Sequence, residues 1–336
     1  DLPSRVTTAP NTSQNDAPTA AGPIASLRLA LADIKLAHTV FAMPFAALGA
    51  AIAIADHGRI RTAEAALLLA LTALAMVFAR TWAMLINRLA DRRFDATNPR
   101  TAKRALAAGQ LAPSAARTIA AASALLFIAT TAAFAAFDKN LWPLALSTPV
   151  LAWIALYSYT KRFTALAHFF LGSALAISPL CAAIAVHPQT FGLNPDITTN
   201  LTASTWTDSA TALTCIAAFV ALWVAGFDIA YALQDIQHDR KLNLKSIPAK
   251  LGTRNARRLS RLCHALAVAA LAAAAAIEPR FSAITAAATA AVAALLIYEH
   301  LVLHKRGTAG LPLAFFTVNG IIACILSAAA ITDLFL

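Results

Sequence analysis

Residues 63–95 read AEAALLLALTALAMVFARTWAMLINRLADRRFD, and two patterns meet in them. The apolar run from about 63 to 86 is long enough, at roughly 1.5 Å per helical residue, to cross the ~30 Å hydrocarbon core of a bilayer. Where the run ends, Asn87, Asp91 and Asp95 follow at intervals of four, which puts their oxygens on one face of a continuing helix. Seven residues back along that face stands Arg80, an ionisable side chain inside the apolar run, where charge is costly and usually functional. The alternative for the two aspartates is local pairing with Arg88, Arg92 or Arg93 on a solvated helix end.

Working outward, the same apolar texture recurs. The 336 residues are 59% hydrophobic and 13% charged, against about 25% charged in a soluble domain. Nine apolar stretches can be drawn, at about 36–55, 63–86, 116–137, 141–160, 164–187, 210–233, 259–277, 281–303 and 312–335, which predicts an all-α polytopic membrane protein. Residues 1–25 are small, polar and proline-bearing and are expected to form a disordered tail; 26–336 form one membrane domain. Basic residues alternate with the spans. They collect after the second (Arg88 to Arg104), fourth (Lys161, Arg162), sixth (Arg240 to Arg258) and eighth (Lys305, Arg306), while 187–209 holds none. By the positive-inside rule the N-terminus and the basic loops are cytoplasmic. This placement accounts for the formal net charge of +11 without nucleic acid, since a soluble nucleic-acid binder would not alternate its charge span by span. Cys181, Cys215, Cys263 and Cys324 are scattered through apolar runs without metal or redox spacing and are read as packing residues.

A second acidic stripe ends the sixth span: Asp228, Tyr231, Asp235 and Asp239, at intervals of three, four and four. Asp91 and Asp235 are four spans apart, so both stripes fall on one side of the membrane, as two parallel four-helix repeats would place them. Hard oxygen ligands without His or Cys suit Mg2+, held through carboxylates together with substrate phosphates. Asn87, Asp91 and Asp95 on one stripe and the carboxylates of the other are the oxygen donors on offer. Around them stand Arg92, Arg93, Arg100, Lys103, Arg104, Lys161, Arg162, Arg240 and Lys241, some of which are expected to hold phosphate, since guanidinium forks match the geometry of a diphosphate and would stabilise its departing charge. Asn98-Pro99, Gly109 and Pro113 interrupt the following segment and leave a short polar element to cap the site.

NRLADRRFDATNPRTAKRALAAG and DIAYALQDIQHDRKLNLKSIPAKLG resemble, in this order, the two aspartate motifs of the UbiA family of intramembrane prenyltransferases, and YTKRFTALAHFFLG resembles the segment between them. The likeness is greatest to 4-hydroxybenzoate polyprenyltransferases. Arg88 following Asn87, and IKLAHTVFAMPFA in the first span, also resemble a branch associated with alternative menaquinone synthesis. The resemblance implies nine helices, two four-helix repeats plus one, around a cavity facing the cytoplasm and opening sideways to lipid. It also implies Mg2+-dependent transfer of a prenyl chain from polyprenyl diphosphate to a hydroxylated aromatic acid, for ubiquinone or menaquinone, in a bacterial inner membrane. A naphthoate is the alternative acceptor.

In that scheme Asn87, Asp91, Asp95, Asp235 and Asp239 hold Mg2+ and diphosphate, with the four aspartates carrying the chemistry, and Arg100, Arg104, Lys161 and Arg162 are candidates to neutralise phosphate oxygens. Asp228 and Tyr231 are candidates to position the acceptor or take its proton, and Arg80 and Lys35 to bind its carboxylate. A secondary transporter also has repeats and intramembrane charge, but would bind its ion near the midplane; here the carboxylates sit at helix ends.

Overall fold

A computed structural model describes residues 22–34, 42–58, 60–197, 206–311 and 313–336. Among these residues all regular structure is helical: α1 Pro23–Asp33, α2 Met43–His57, α3 Thr62–Thr97, α4 Pro113–Asp138, α5 Trp142–Thr160, α6 Ala167–Val186, α7 Asp208–Tyr231, α8 Ile236–Lys241, α9 Ile247–Ile277, α10 Ala283–Arg306 and α11 Asn319–Phe335. The described part of each of the nine apolar stretches falls on helical structure, α2 to α7 and α9 to α11. Seven helical stretches are long and apolar enough to cross a membrane. Of the other two, α2 has 15 residues and α5 has 19, the latter diluted by proline, serine and tyrosine.

The structure differs from the sequence expectation in two places, at α1 and at the start of α9. A helix, α1, begins at Pro23, inside the segment assigned to the tail, and the rest of that segment lies almost wholly outside the described residues. α3 continues past its apolar run to Thr97, as the four-residue spacing of Asn87, Asp91 and Asp95 predicts, 36 residues in all, or about 54 Å. α9 starts at Ile247, not 259. Its first turns are basic, and it is opened by Ser246, whose Oγ accepts the Ala249 N–H, so a capping signal rather than an apolar one marks its start. Gly252, at φ +76°, breaks that helix after its first turns, a conformation that glycine adopts without strain.

α7 is the central helix. Phe219 and Trp223 are fully buried in it and stack on each other, with Phe45 of α2 against both. Close approach comes from small residues: a Cβ on Gly172 of α6 would collide with the Ala221 carbonyl of α7, the kind of contact that binds helices in a bilayer, where apolar faces have no reason to leave lipid. Outer faces carry exposed Leu125, Ile297 and Leu301, which lipid can solvate. α3, α4 and α5 pack on one another through Phe127, Leu151 and Ile154, with Trp82 donating to the Leu151 carbonyl. Between this group and α6–α7 lies a cavity of about 450 Å³.

Candidate active site

The cavity is apolar in its depth, with Met76, Phe127, Leu175 and Phe227 among its walls, and charged at the end where α3, α5 and α7 finish. Because α3 runs straight through its motif, Asn87, Asp91 and Asp95 all line the cavity, as does Arg80 two turns deeper. The opposing wall brings Asp228, Tyr231, Asp235 and Asp239. Here the chain tightens into a 3-10 turn, Ala232–Asp235, before α8. Lys161 and Arg162, just past α5, and Arg100 and Arg104, from the segment after α3, complete the lining. Lys35 lies outside the described residues.

The ion pairs of Asp91, Asp95 and Asp235 reach to other segments, not to the arginines beside them in sequence. Asn87 Nδ2 donates to Asp91 Oδ2 at 3.2 Å, and Arg162 stands 3.6 Å from Asp91 Oδ1. Arg104 Nη1 donates to both oxygens of Asp95, at 2.8 and 2.7 Å. Arg100 grips Asp235 with a fork, Nε to Oδ1 at 3.3 Å and Nη2 to Oδ2 at 2.7 Å, and donates Nη1–H to the Tyr231 hydroxyl. Asn98 donates to the same Asp235 oxygen. The segment 98–112 is thus tied by its own basic residues to both acidic stripes, which is where the expected cap belongs. Asp239 behaves differently: it is 4% exposed and accepts from the Ser246 hydroxyl at 2.6 Å, anchoring the start of α9.

Lys161 is the hub. Burial alone would depress its ammonium pKa, but the carboxylates of Asp228, Asp239, Asp91 and Asp235 outweigh that and hold it above the usual lysine value. The same balance holds for Arg100, where burial is overcome by the hydrogen bonds and charge of Asp235. Both cations therefore stay charged at any physiological pH.

Three groups that motif spacing does not single out also belong here. Arg88, 8% exposed, donates to Asn87 Oδ1 and lies 3.5 Å from Asp33 of α1, whose other oxygen accepts the Ala105 N–H. Phe315 lines the cavity from a π-helical turn, Leu313–Val318, and packs on Tyr231 with centroids 4.2 Å apart; such turns are rare and often functional. His168 lies 2.6 Å from Asp228. A histidine within an apolar run was the available signal for it.

Among the described residues no three His, Cys, Asp or Glu side chains are close enough to enclose a cation by themselves. That fits a Mg2+ held jointly with phosphate, which needs few protein ligands. The charge inventory fits as well. Asp91, Asp95, Asp228, Asp235 and Asp239 line the same cavity as Arg80, Arg88, Arg100, Arg104, Lys161 and Arg162, and a diphosphate entering it would meet Arg100, Arg104 and Arg162 already paired with carboxylates. A cation on those carboxylates would free the arginines for phosphate.

The sequence model of the UbiA prenyltransferase family matches residues 42–332. A 4-hydroxybenzoate octaprenyltransferase of Enterobacter sp. (strain 638) is 29% identical over 169 residues, 50% of this chain and 50% of that protein. Matches of this kind span about half the length of the first curated relatives. The apo structure of a UbiA homologue from Aeropyrum pernix K1 superposes with a TM-score of 0.72 at 32% identity, over 89% of this chain and 98% of that one. A UbiA homologue from Archaeoglobus fulgidus bound to GPP and Mg2+ shares the fold, with a TM-score of 0.64 at 17% identity over 92% and 100% of the chains.

Proposed function

The chain belongs to the UbiA prenyltransferase family, and from that premise we propose that it transfers a polyprenyl chain from its diphosphate to a hydroxylated aromatic acid such as 4-hydroxybenzoate. The product would be a precursor of a membrane quinone, ubiquinone or menaquinone. One observation carries this reading: an apolar cavity whose mouth gathers carboxylates from α3 and from the α7–α8 turn around Lys161. The names of the curated relatives support the acceptor class, and the homologue bound to GPP and Mg2+ supports the donor and the metal.

Asn87, Asp91, Asp95, Asp235 and Asp239 are the oxygen donors that would hold Mg2+, which when bound neutralises diphosphate and eases its departure. Arg100, Arg104, Lys161 and Arg162 bind the phosphate oxygens, and their fixed positive charge favours the state in which the C1–O bond has broken. The aromatic faces of Phe227, Phe315 and Tyr231 and the apolar walls keep water from the allylic cation. Arg80, whose Nε meets no hydrogen-bond partner among the described residues, would take the acceptor's carboxylate. The ring carbon beside the hydroxyl then attacks.

The same reading makes α2 and α5 membrane spans, nine in all, with two four-helix repeats, the N-terminus and the site on the cytoplasmic side, and residues 98–112 as a small cap. The alternation of basic loops supports it. Membranes given labelled polyprenyl diphosphate, Mg2+ and either 4-hydroxybenzoate or a hydroxynaphthoate should yield a lipid-soluble prenylated aromatic from one acceptor, and none after chelation. A protein that leaves the diphosphate intact with both acceptors, or works equally with chelator, contradicts it.

A further inference from the structure

His168 is the second residue of α6, fully buried, and sits behind the cavity wall rather than in it. A ring sealed in this way needs partners for both nitrogens, and it has them. Nδ1 lies 2.6 Å from Asp228 Oδ2, and the backbone N–H of Ile247, at the start of α9, donates to Nε2 at 3.4 Å. An amide N–H cannot reverse its role, so Nε2 accepts, the imidazole is neutral, and its one proton is on Nδ1, pointing at Asp228. One tautomer is thereby imposed by the first orphan amide of a helix.

The partner is unlike those of the other cavity carboxylates. Asp91, Asp95 and Asp235 face guanidiniums and Asp239 faces a hydroxyl that caps α9. Asp228, which lines the cavity with its side chain 17% exposed, is held by a neutral N–H at one oxygen, and the other takes no hydrogen bond from any described residue. Lys161, which Asp228 helps to hold charged, is its cationic neighbour, while the neutral, immobile His168 N–H orients the carboxylate without adding a further countercharge, as a general base requires.

We propose that His168 is a positioning residue for this reaction: through Nδ1–H it fixes Asp228 as the base that takes the ring proton displaced by the prenyl group. The C1–O pair leaves with diphosphate, a ring π pair forms the new carbon–carbon bond, and the C–H pair restores the aromatic ring as the proton passes to the Asp228 carboxylate. This rests on the prenyl-transfer reading above.

The test pairs two variants with two readouts on the purified full-length protein. His168→Leu removes the donor, whereas His168→Asn offers an amide N–H near the position of Nδ1. Turnover with 4-hydroxybenzoate should fall about tenfold or more in His168→Leu, within the range general bases contribute, at unchanged KM for polyprenyl diphosphate. Deuterium at the ring carbons beside the hydroxyl should slow that variant more than the parent, and His168→Asn should recover most of the loss. Nitrogen NMR of histidine-labelled protein should show Nδ1 protonated and Nε2 bare in the parent. Equal loss in both variants, a loss without any ring-deuterium effect, or a proton on Nε2 overturns the proposal. A parent that prenylates no hydroxylated aromatic acid refutes the reading it rests on, and the tautomer then decides whether His168 directs its proton at Asp228.

Discussion

Both ends of the bundle bury carboxylates and arginine, yet they use them differently. At the end where α2, α9 and α11 finish and α7 and α10 begin, Asp333 accepts the backbone N–H and hydroxyl of Ser282 and of Thr285, capping α10 onto the last helix. Asp56 accepts from Thr190 and Ser209, and Arg280 lies on Glu278, its neighbour by two residues. The hydroxyl and amide donors here are short and neutral although they come from other segments, Arg280 also donates to Ser209 and stands 4.0 Å from Asp56, and together these contacts bolt helix ends together. At the cavity end, Asp91, Asp95 and Asp235 are met by long guanidiniums from other segments, across a space that a ligand can enter. A carboxylate held by caps outside the cavity only fastens helices. One satisfied by an exchangeable arginine can be handed to something else.

The sharpest way to break this contrast is to remove one carboxylate from each end. Asp91→Ala or Asp235→Ala should lower kcat/KM by about a thousandfold or more, several kcal/mol of transition-state stabilisation, with little change in Tm. Asp333→Ala should do the reverse, costing about 1–3 kcal/mol for each donor left unsatisfied while the protein that remains folded keeps its activity. Equal losses of activity from both ends would erase the distinction.

Arginines give the next comparison. Arg100→Leu should raise the KM for polyprenyl diphosphate by roughly ten- to a hundredfold, the value of a charged hydrogen bond, whereas Arg280→Leu should alter Tm and leave both KM values in place. Deeper in the cavity, Arg80→Leu should raise the acceptor's KM by about tenfold or more with diphosphate affinity little changed, measured by initial rates with each substrate varied in turn. The smallest effect belongs to the outer strut: Asp33→Asn loosens Arg88 and the 98–112 segment, and should cost a few-fold in turnover, as an ion pair worth about 1 kcal/mol would.

Much of this was legible in the sequence, and for a physical reason. Apolar runs of bilayer length have little choice but to become helices, and four-residue spacing on such a helix fixes a face, so Arg80, Asn87, Asp91 and Asp95 could be aligned before any coordinates. What escaped was set by other signals. α1 and the basic first turns of α9 are helical without being apolar, the latter opened by a Ser246 cap. Asp239 belongs to its stripe by spacing, yet the 3-10 turn and Ser246 give it a structural partner. His168 and Asp228 are 60 residues apart, and Asp33 and Arg88 are nearly as remote, so pairings of this kind come from helix packing and not from any local pattern.

The central claim is that α3 and the α7–α8 turn hold one Mg2+-diphosphate between them. Binding of a prenyl diphosphate analogue that cannot ionise, titrated into purified protein with and without Mg2+, tests it without relying on turnover. The parent should bind only with the metal, Asp91→Ala and Asp235→Ala should each lose that binding, and the double variant should be little worse than either, the non-additivity of two residues sharing one ligand. Binding that ignores Mg2+, or losses that add as for two independent sites, would contradict it.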